Sequence, residues 1–174
     1  SDFRCRNSIF QYNYSHDNEG GFFLICSPGD SYCEGTIIRY NISQNDGVNS
    51  ARVFHFGGGA SNTQIYNNII YVGPDQDLPL LRFTEWKEGN ARNTRFFNNI
   101  FYVDGKVRYD WGDSTGNIFE HNVFYGQHVG MPKGANCITT KPPLVNPGSG
   151  RDGLDSLFGY TLNKNSELLG RVVA

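Results

Sequence analysis

The chain has 174 residues, a mass of 19.5 kDa and a formal net charge of −2, with 18% charged and 14% aromatic residues. So few charges exclude a coiled coil or a Glu/Lys-rich helical bundle, and so small a net charge provides no field that would draw in nucleic acid or an acidic membrane. A chain with 13 Phe and 10 Tyr can bury a core, so it is not disordered; its 21 Gly and 19 Asn predict short strands joined by tight turns.

From the start of the chain, Ser1-Asp2-Phe3-Arg4-Cys5 does not read as a secretory leader, and no later run reaches the ~18 apolar residues of a membrane span. A mature secreted protein or a trimmed chain would begin this way. The cysteines at 5, 26, 33 and 137 do not have the spacing of a paired zinc site. Cys26 and Cys33 bracket a turn-rich stretch that a disulfide would close; the alternative is a set of buried thiols.

Five segments then repeat one pattern: Asn7 to Asn13, Gly35 to Asn41, Asn62 to Asn68, Asn93 to Asn99 and Gly116 to Asn122. Each begins with Asn or Gly, carries Ile or Phe at its fourth position and ends in Asn at its seventh. The closing asparagines are 28, 27, 31 and 23 residues apart. A period near 27 residues built from Asn, Gly and β-branched residues disfavours helices. It predicts a parallel β-helix, an all-β solenoid in which each coil lies ~4.8 Å above the last and equivalent residues form ladders. The Asn13, Asn41, Asn68, Asn99 and Asn122 column fits a corner, where Asn tolerates a left-handed backbone and its amide bonds the next coil. Asn13 and Asn41 are also formal glycosylation acceptors, but a buried column would not be modified. The Phe10, Ile38, Ile65, Phe96 and Phe119 column is expected to face inward.

A second strand is predicted in each coil at Phe22–Cys26, Arg52–Phe56, Leu80–Thr84 and Val107–Trp111. Alternation places Phe23, Phe54, Leu81 and Tyr109 inside, with Ile25, Phe56, Phe83 and Trp111. Leu24, His55, Arg82 and Asp110 then point outward. The run Phe56-Gly57-Gly58-Gly59-Ala60 lacks the Lys and helix of a phosphate loop and reads as a turn or a close approach for a ligand. After Gly126 the repeat breaks. Residues 1–126 are expected to form the coils and 127–174 a cap over the last one, about five to six turns in all. No cap precedes Asn7, so further coils are expected upstream, from the same parent protein or from a partner.

The repeated Asn-Asn-Ile-Phe-Tyr-Val unit, the segment Asn13 to Gly21, and Pro143 to Gly148 followed by Gly159-Tyr160-Thr161-Leu162 resemble the right-handed parallel β-helix proteins of the pectate-lyase-like superfamily. The resemblance is to secreted bacterial carbohydrate-active enzymes of that group. It implies a right-handed solenoid, a secreted or periplasmic location and a polysaccharide or oligosaccharide partner. It leaves the reaction open, because the superfamily includes lyases, hydrolases, esterases and binding modules.

Two constellations are candidates for the chemistry. Aligning the asparagines puts His16 over Gln44, Asp17 over Asn45 and Asn18 over Asp46. Asp17, Glu19 and Asp46 would then lie together, either as oxygen ligands for Ca²⁺ or as the acid and base of a glycosidase, with His16 on the substrate. The second constellation is the outward row His55, Arg82 and Asp110, flanked by Glu85, Trp86, Arg108 and Asp113. In a lyase, Arg82 would stabilise the carboxylate-bearing intermediate and His55 would take the proton. Trp86, Glu85 and Asp110 would hold the sugar, the indole by stacking. The plainer alternatives are a polar turn and a solvated sheet face, in a non-catalytic glycan-binding or structural stretch of a larger protein.

Overall fold

A computed structural model describes residues 5–28, 31, 33–49, 52–151 and 153–163. The ends of the two expected segments, 1–4 and 164–174, lie outside the described residues. The chain is an all-β parallel solenoid. Its first face is a five-stranded sheet of Ile9–Gln11, Ile37–Arg39, Gln64–Tyr66, Arg95–Phe97 and Ile118–Glu120. Every pair is parallel, and Phe10, Ile38, Ile65, Phe96 and Phe119 are in register. An eight-stranded sheet supplies the other two faces, because the long strands Ile100–Asp110 and Val123–Val129 bend from one face onto the next. Three coils, those of Asn41, Asn68 and Asn99, have a neighbouring coil on both sides of every face. The number of fully enclosed turns is therefore about three, below the five to six expected, with an end coil on either side.

The second face, Tyr14–His16, Ile42–Gln44, Ile69–Val72 and the starts of the two long strands, is a full strand column that the two-strand expectation missed. On it Ile70, Val72, Phe101, Val103 and Phe124 join the main core. The third face contributes Phe54, Leu81, Ile25, Phe56 and Phe83, in the expected alternation. These side chains stack because successive strands are parallel and in register: Phe96 lies on Phe119 with centroids 4.6 Å apart, and Phe56 lies on Phe83 at 4.6 Å.

Between the first and second faces the chain turns through a left-handed residue. That residue is Tyr12, Tyr40, Asn67, Asn98 or His121, one position before each closing asparagine. The asparagines are free of that strain and bond from coil to coil. Asn68 Oδ1 accepts from the backbone N–H of Asn41 at 3.0 Å and from its Nδ2 at 2.9 Å. Asn68 Nδ2 in turn donates to Asn99 Oδ1 at 2.9 Å and to the carbonyl of Ile38 at 3.0 Å. Asn13 on Asn41 and Asn99 on Asn122 repeat the arrangement.

The glycine run forms a corner in contact with the coil before it. A Cβ on Gly58, at φ 64°, would lie 1.9 Å from the Ser27 carbonyl oxygen, so the close approach is to backbone. The Cys26–Cys33 bridge is not formed. Both thiols are buried, and Cys33 packs in the core within 3.8 Å of Thr36 Oγ1.

Beyond Val129 the chain stacks once more on the last coil, where Ala135 pairs with Glu120 and Ile138 with Val123. It then crosses to the outside of the second face. Leu144, Leu157, Tyr160 and Leu162 cover Ile42, Ile69, Tyr71, Ile100, Tyr102 and Tyr125 there. Gln44 clasps this strap. Its Oε1 accepts from the Gly150 N–H and the Tyr160 hydroxyl, and its Nε2 donates to the Gly150 carbonyl. Gln44→Ala takes this partner from the Gly150 N–H and carbonyl, and the acceptor from the Tyr160 hydroxyl, which keeps only its bond from the Gly148 N–H; it is expected to cost about 2 kcal/mol. Tryptic cleavage after Arg151 should accelerate accordingly, and an unchanged cleavage rate would refute the clasp.

Candidate functional site

The corner after the second face holds the first candidate constellation. His16 pairs with Gln44 as aligned, and the chain turns at Asp17 (φ 51°) and Asn45 (φ 55°). The turn sends neighbouring carboxylates in opposite directions. Asp46 is 1% exposed and points inward, accepting from Ser43 Oγ at 2.6 Å and from Asn18 Nδ2 at 2.8 Å. Asp17 points outward. Its Oδ1 accepts from Asn45 Nδ2 at 3.0 Å, and its Oδ2 lies 3.0 Å from His16 Nδ1. Glu19 is exposed. Asp17, Glu19 and Asp46 therefore do not converge. Among the described residues no three His, Cys, Asp or Glu side chains are grouped to hold a metal ion. The calcium trio is corrected on this point: Asp46 is a buried clamp within the stack.

What Asp17 does border is a cleft of about 520 Å³ that runs across the coils, with Val48, Pro74 and Leu78 as its apolar lining. Asn45, Asn49, Gly73, Asp75 and Gln76 line it with Asp17. A hydrogen-bond chain holds this wall. Asn45 Oδ1 accepts from the Gly73 N–H at 2.9 Å, and Gln76 Oε1 accepts from the same N–H at 3.2 Å. Asp77, at the far edge, is engaged by Lys106 at 2.9 Å and Arg108 at 3.1 Å. The Lys106 ammonium, helped by Arg108, holds the Asp77 carboxyl below the usual range, so Asp77 stays an anion. Asp75 is exposed at the rim. Sequence reasoning missed Asp75, Asn49 and Gln76. The available signal was the insertion Gly73-Pro74-Asp75-Gln76-Asp77, which is polar and interrupts the repeat.

The outward row of the third face forms as aligned, with Leu24, His55, Arg82 and Asp110 side by side on successive strands. His55 Nε2 and Thr84 Oγ1 share a hydrogen bond at 2.8 Å, while His55 Nδ1 is buried without a hydrogen-bond partner. Burial, then the positive charges of Arg52 and Arg82, lower the His55 pKa from 6.5 to about 4. The imidazole is therefore neutral but weakly basic, poorly matched to proton abstraction near neutral pH. Glu85 and Trp86 lie in the next turn. Glu85 Oε1 accepts from the Glu88 N–H at 3.2 Å, and Trp86 is bridged to Gly89. Arg82 is exposed and Asp110 half-buried.

The sign of the His55 effect follows directly. Between pH 6.5 and 4 the unfolded chain binds a proton that the folded chain resists, so this residue makes stability fall as pH is lowered through that window. His55→Gln should flatten the melting temperature against pH there. A curve parallel to the parent's would contradict the burial argument.

The fold and cleft define a parallel β-solenoid with a carboxylate-bearing groove of mixed polarity on its side. The chain is similar to a protein named Lacto-N-biosidase from Bifidobacterium longum subsp. longum, with 38% identity over 71 residues. That stretch covers 41% of this chain and 4% of the Bifidobacterium protein. No family model and no solved structure matches the chain. Among the described residues, no helix is long and apolar enough to cross a membrane.

Proposed function

We propose that the chain is the β-solenoid part of a secreted or periplasmic carbohydrate-active protein of the pectate-lyase-like type, and that it hydrolyses a glycosidic bond in an oligosaccharide or polysaccharide. The observation that carries this reading is the cleft beside Asp17. Its amides and carboxylates match a hydroxyl-rich ligand, and Asp17 is held from two sides by His16 and Asn45. Glycoside hydrolysis uses two carboxyl groups flanking the bond, one to protonate the leaving oxygen and one to act as base or nucleophile. Asp17 and Asp75 line the same cleft and are assigned those roles. Asp77 is excluded from the acid role by its two cations. The likeness to a protein named as a biosidase supports hydrolysis, and the weak basicity of His55 counts against the lyase alternative.

The strands of the first coil, Ile9–Gln11, Tyr14–His16 and Phe23–Ser27, pair on one side only among the described residues. They form a fitting edge for upstream coils, which would extend the cleft beyond Asp17.

The test is a panel of oligosaccharides assayed for reducing ends and for the absorbance of unsaturated uronates. Hydrolysis without that absorbance is expected, and Asp17→Asn or Asp75→Asn should each lower turnover by about 100-fold or more. Parental turnover in both variants overturns the assignment. Binding of a glycan with no product released selects the non-catalytic reading.

A further inference from the structure

A second opening lies at the other end of the stack, away from the Asp17 cleft. The last strand, Val123–Val129, leaves the third face early. Its final pair is Val129 with Arg108, and the chain then turns away at Gly130 (φ 70°). His128, in register with Val107, leans over Tyr109, with its Nδ1 2.7 Å from the hydroxyl. Among the described residues no strand of the last coil pairs over Trp111. The inward column Phe56, Phe83 and Trp111, with centroids 4.6 Å and then 5.7 Å apart, thus ends on an indole that is half-buried where its neighbours are buried.

The missing next member of that column leaves an opening of about 400 Å³. Trp111, Phe119, Met131 and Pro132 form its apolar part, Ser114 and Asn117 one polar side, and Lys133 another. Among the described residues no carboxylate lines it, although Asp113 is exposed nearby. The size suits one or two sugar rings. The stacking sequence calls for a flat or ring-shaped group with an apolar face, as in the three rings beneath it. The ammonium and the absence of acids call for a negative charge on that group.

We propose that this opening binds a pyranose bearing an acidic group, such as a uronic acid, with its apolar face on the Trp111 indole and its acid toward Lys133. Such a site would hold a charged glycan at a distance from the Asp17 cleft and does not depend on what that cleft does.

The chain has two tryptophans, so Trp86→Phe leaves Trp111 as the reporter. Glucuronate oligosaccharides should quench its fluorescence saturably, glucose oligosaccharides much less. Lys133→Ala, at an exposed position, should weaken the acidic ligand by about fivefold. Calorimetry on the unsubstituted chain should give the same order of affinities. Equal binding of acidic and neutral sugars, or no effect of Lys133→Ala, overturns the acidic assignment. Binding of phenylacetate with both sugars silent, or no binding of any probe, overturns the site as a sugar site.

Discussion

Asn68→Ala is expected to lower the unfolding free energy by about 4 kcal/mol, measured as a shift of the denaturant midpoint at unchanged slope. The Asn68 side chain accepts two hydrogen bonds from Asn41 and donates to Ile38, Tyr66 and Asn99. It does so at 1% exposure, so water cannot replace it. Alanine orphans the buried N–H of Asn41, worth about 1–3 kcal/mol, and also removes the donor that the carbonyls of Ile38 and Tyr66 and the Asn99 amide oxygen share. Asn13→Ala is the control. Asn13 is exposed and at the end of the column, and its loss should cost about 1 kcal/mol. Equal effects at the two positions would show that the coil-to-coil bonding does not stabilise the stack.

The second large effect is expected at Phe96. Its ring is fully buried, lies parallel on Phe119 at 4.6 Å and meets Phe54 and Phe56 edge-on at 6.4 and 6.1 Å. It is where the stacked columns of the first and third faces touch across the narrow interior. Phe96→Ala should cost about 3–5 kcal/mol, because parallel strands locked in register cannot collapse into the space. Phe96→Leu keeps most of the volume and should cost under about 1.5 kcal/mol. Thermal melts of the two variants separate a cavity effect from loss of ring stacking. A leucine variant as damaged as the alanine would put the stabilisation in the stacking.

The parallel stacking was legible in the sequence because it depends on period and register alone. The fourth residue of each repeat marks Phe10, Ile38, Ile65, Phe96 and Phe119, and period-two alternation marks the row Leu24, His55, Arg82 and Asp110. The cleft was only half legible. Asp17 was found because it sits at a repeat position, but its orientation is set by a left-handed turn that sends it out while Asp46 goes in. Asp75 and Gln76 lie in an insertion, where no neighbouring coil provides an alignment. The path of the strap was also hidden. Its signal was a misplaced apolar column, Ile42, Ile69 and Ile100, at outward positions that a solvated face would fill with polar residues.

That strap changes how the molecule can come apart. In a linear array each unit touches only its neighbours, so the ends fray first and unfolding can advance coil by coil. Here Gln44 is bonded to Gly150 and Tyr160, 106 and 116 residues away in the chain. The final segment is thereby fastened to the second coil, across every coil between them. Peeling the last turn away requires releasing a contact near the opposite end. The solenoid should therefore melt in one cooperative step, and cutting the strap should restore the graded, end-first unravelling of an open stack.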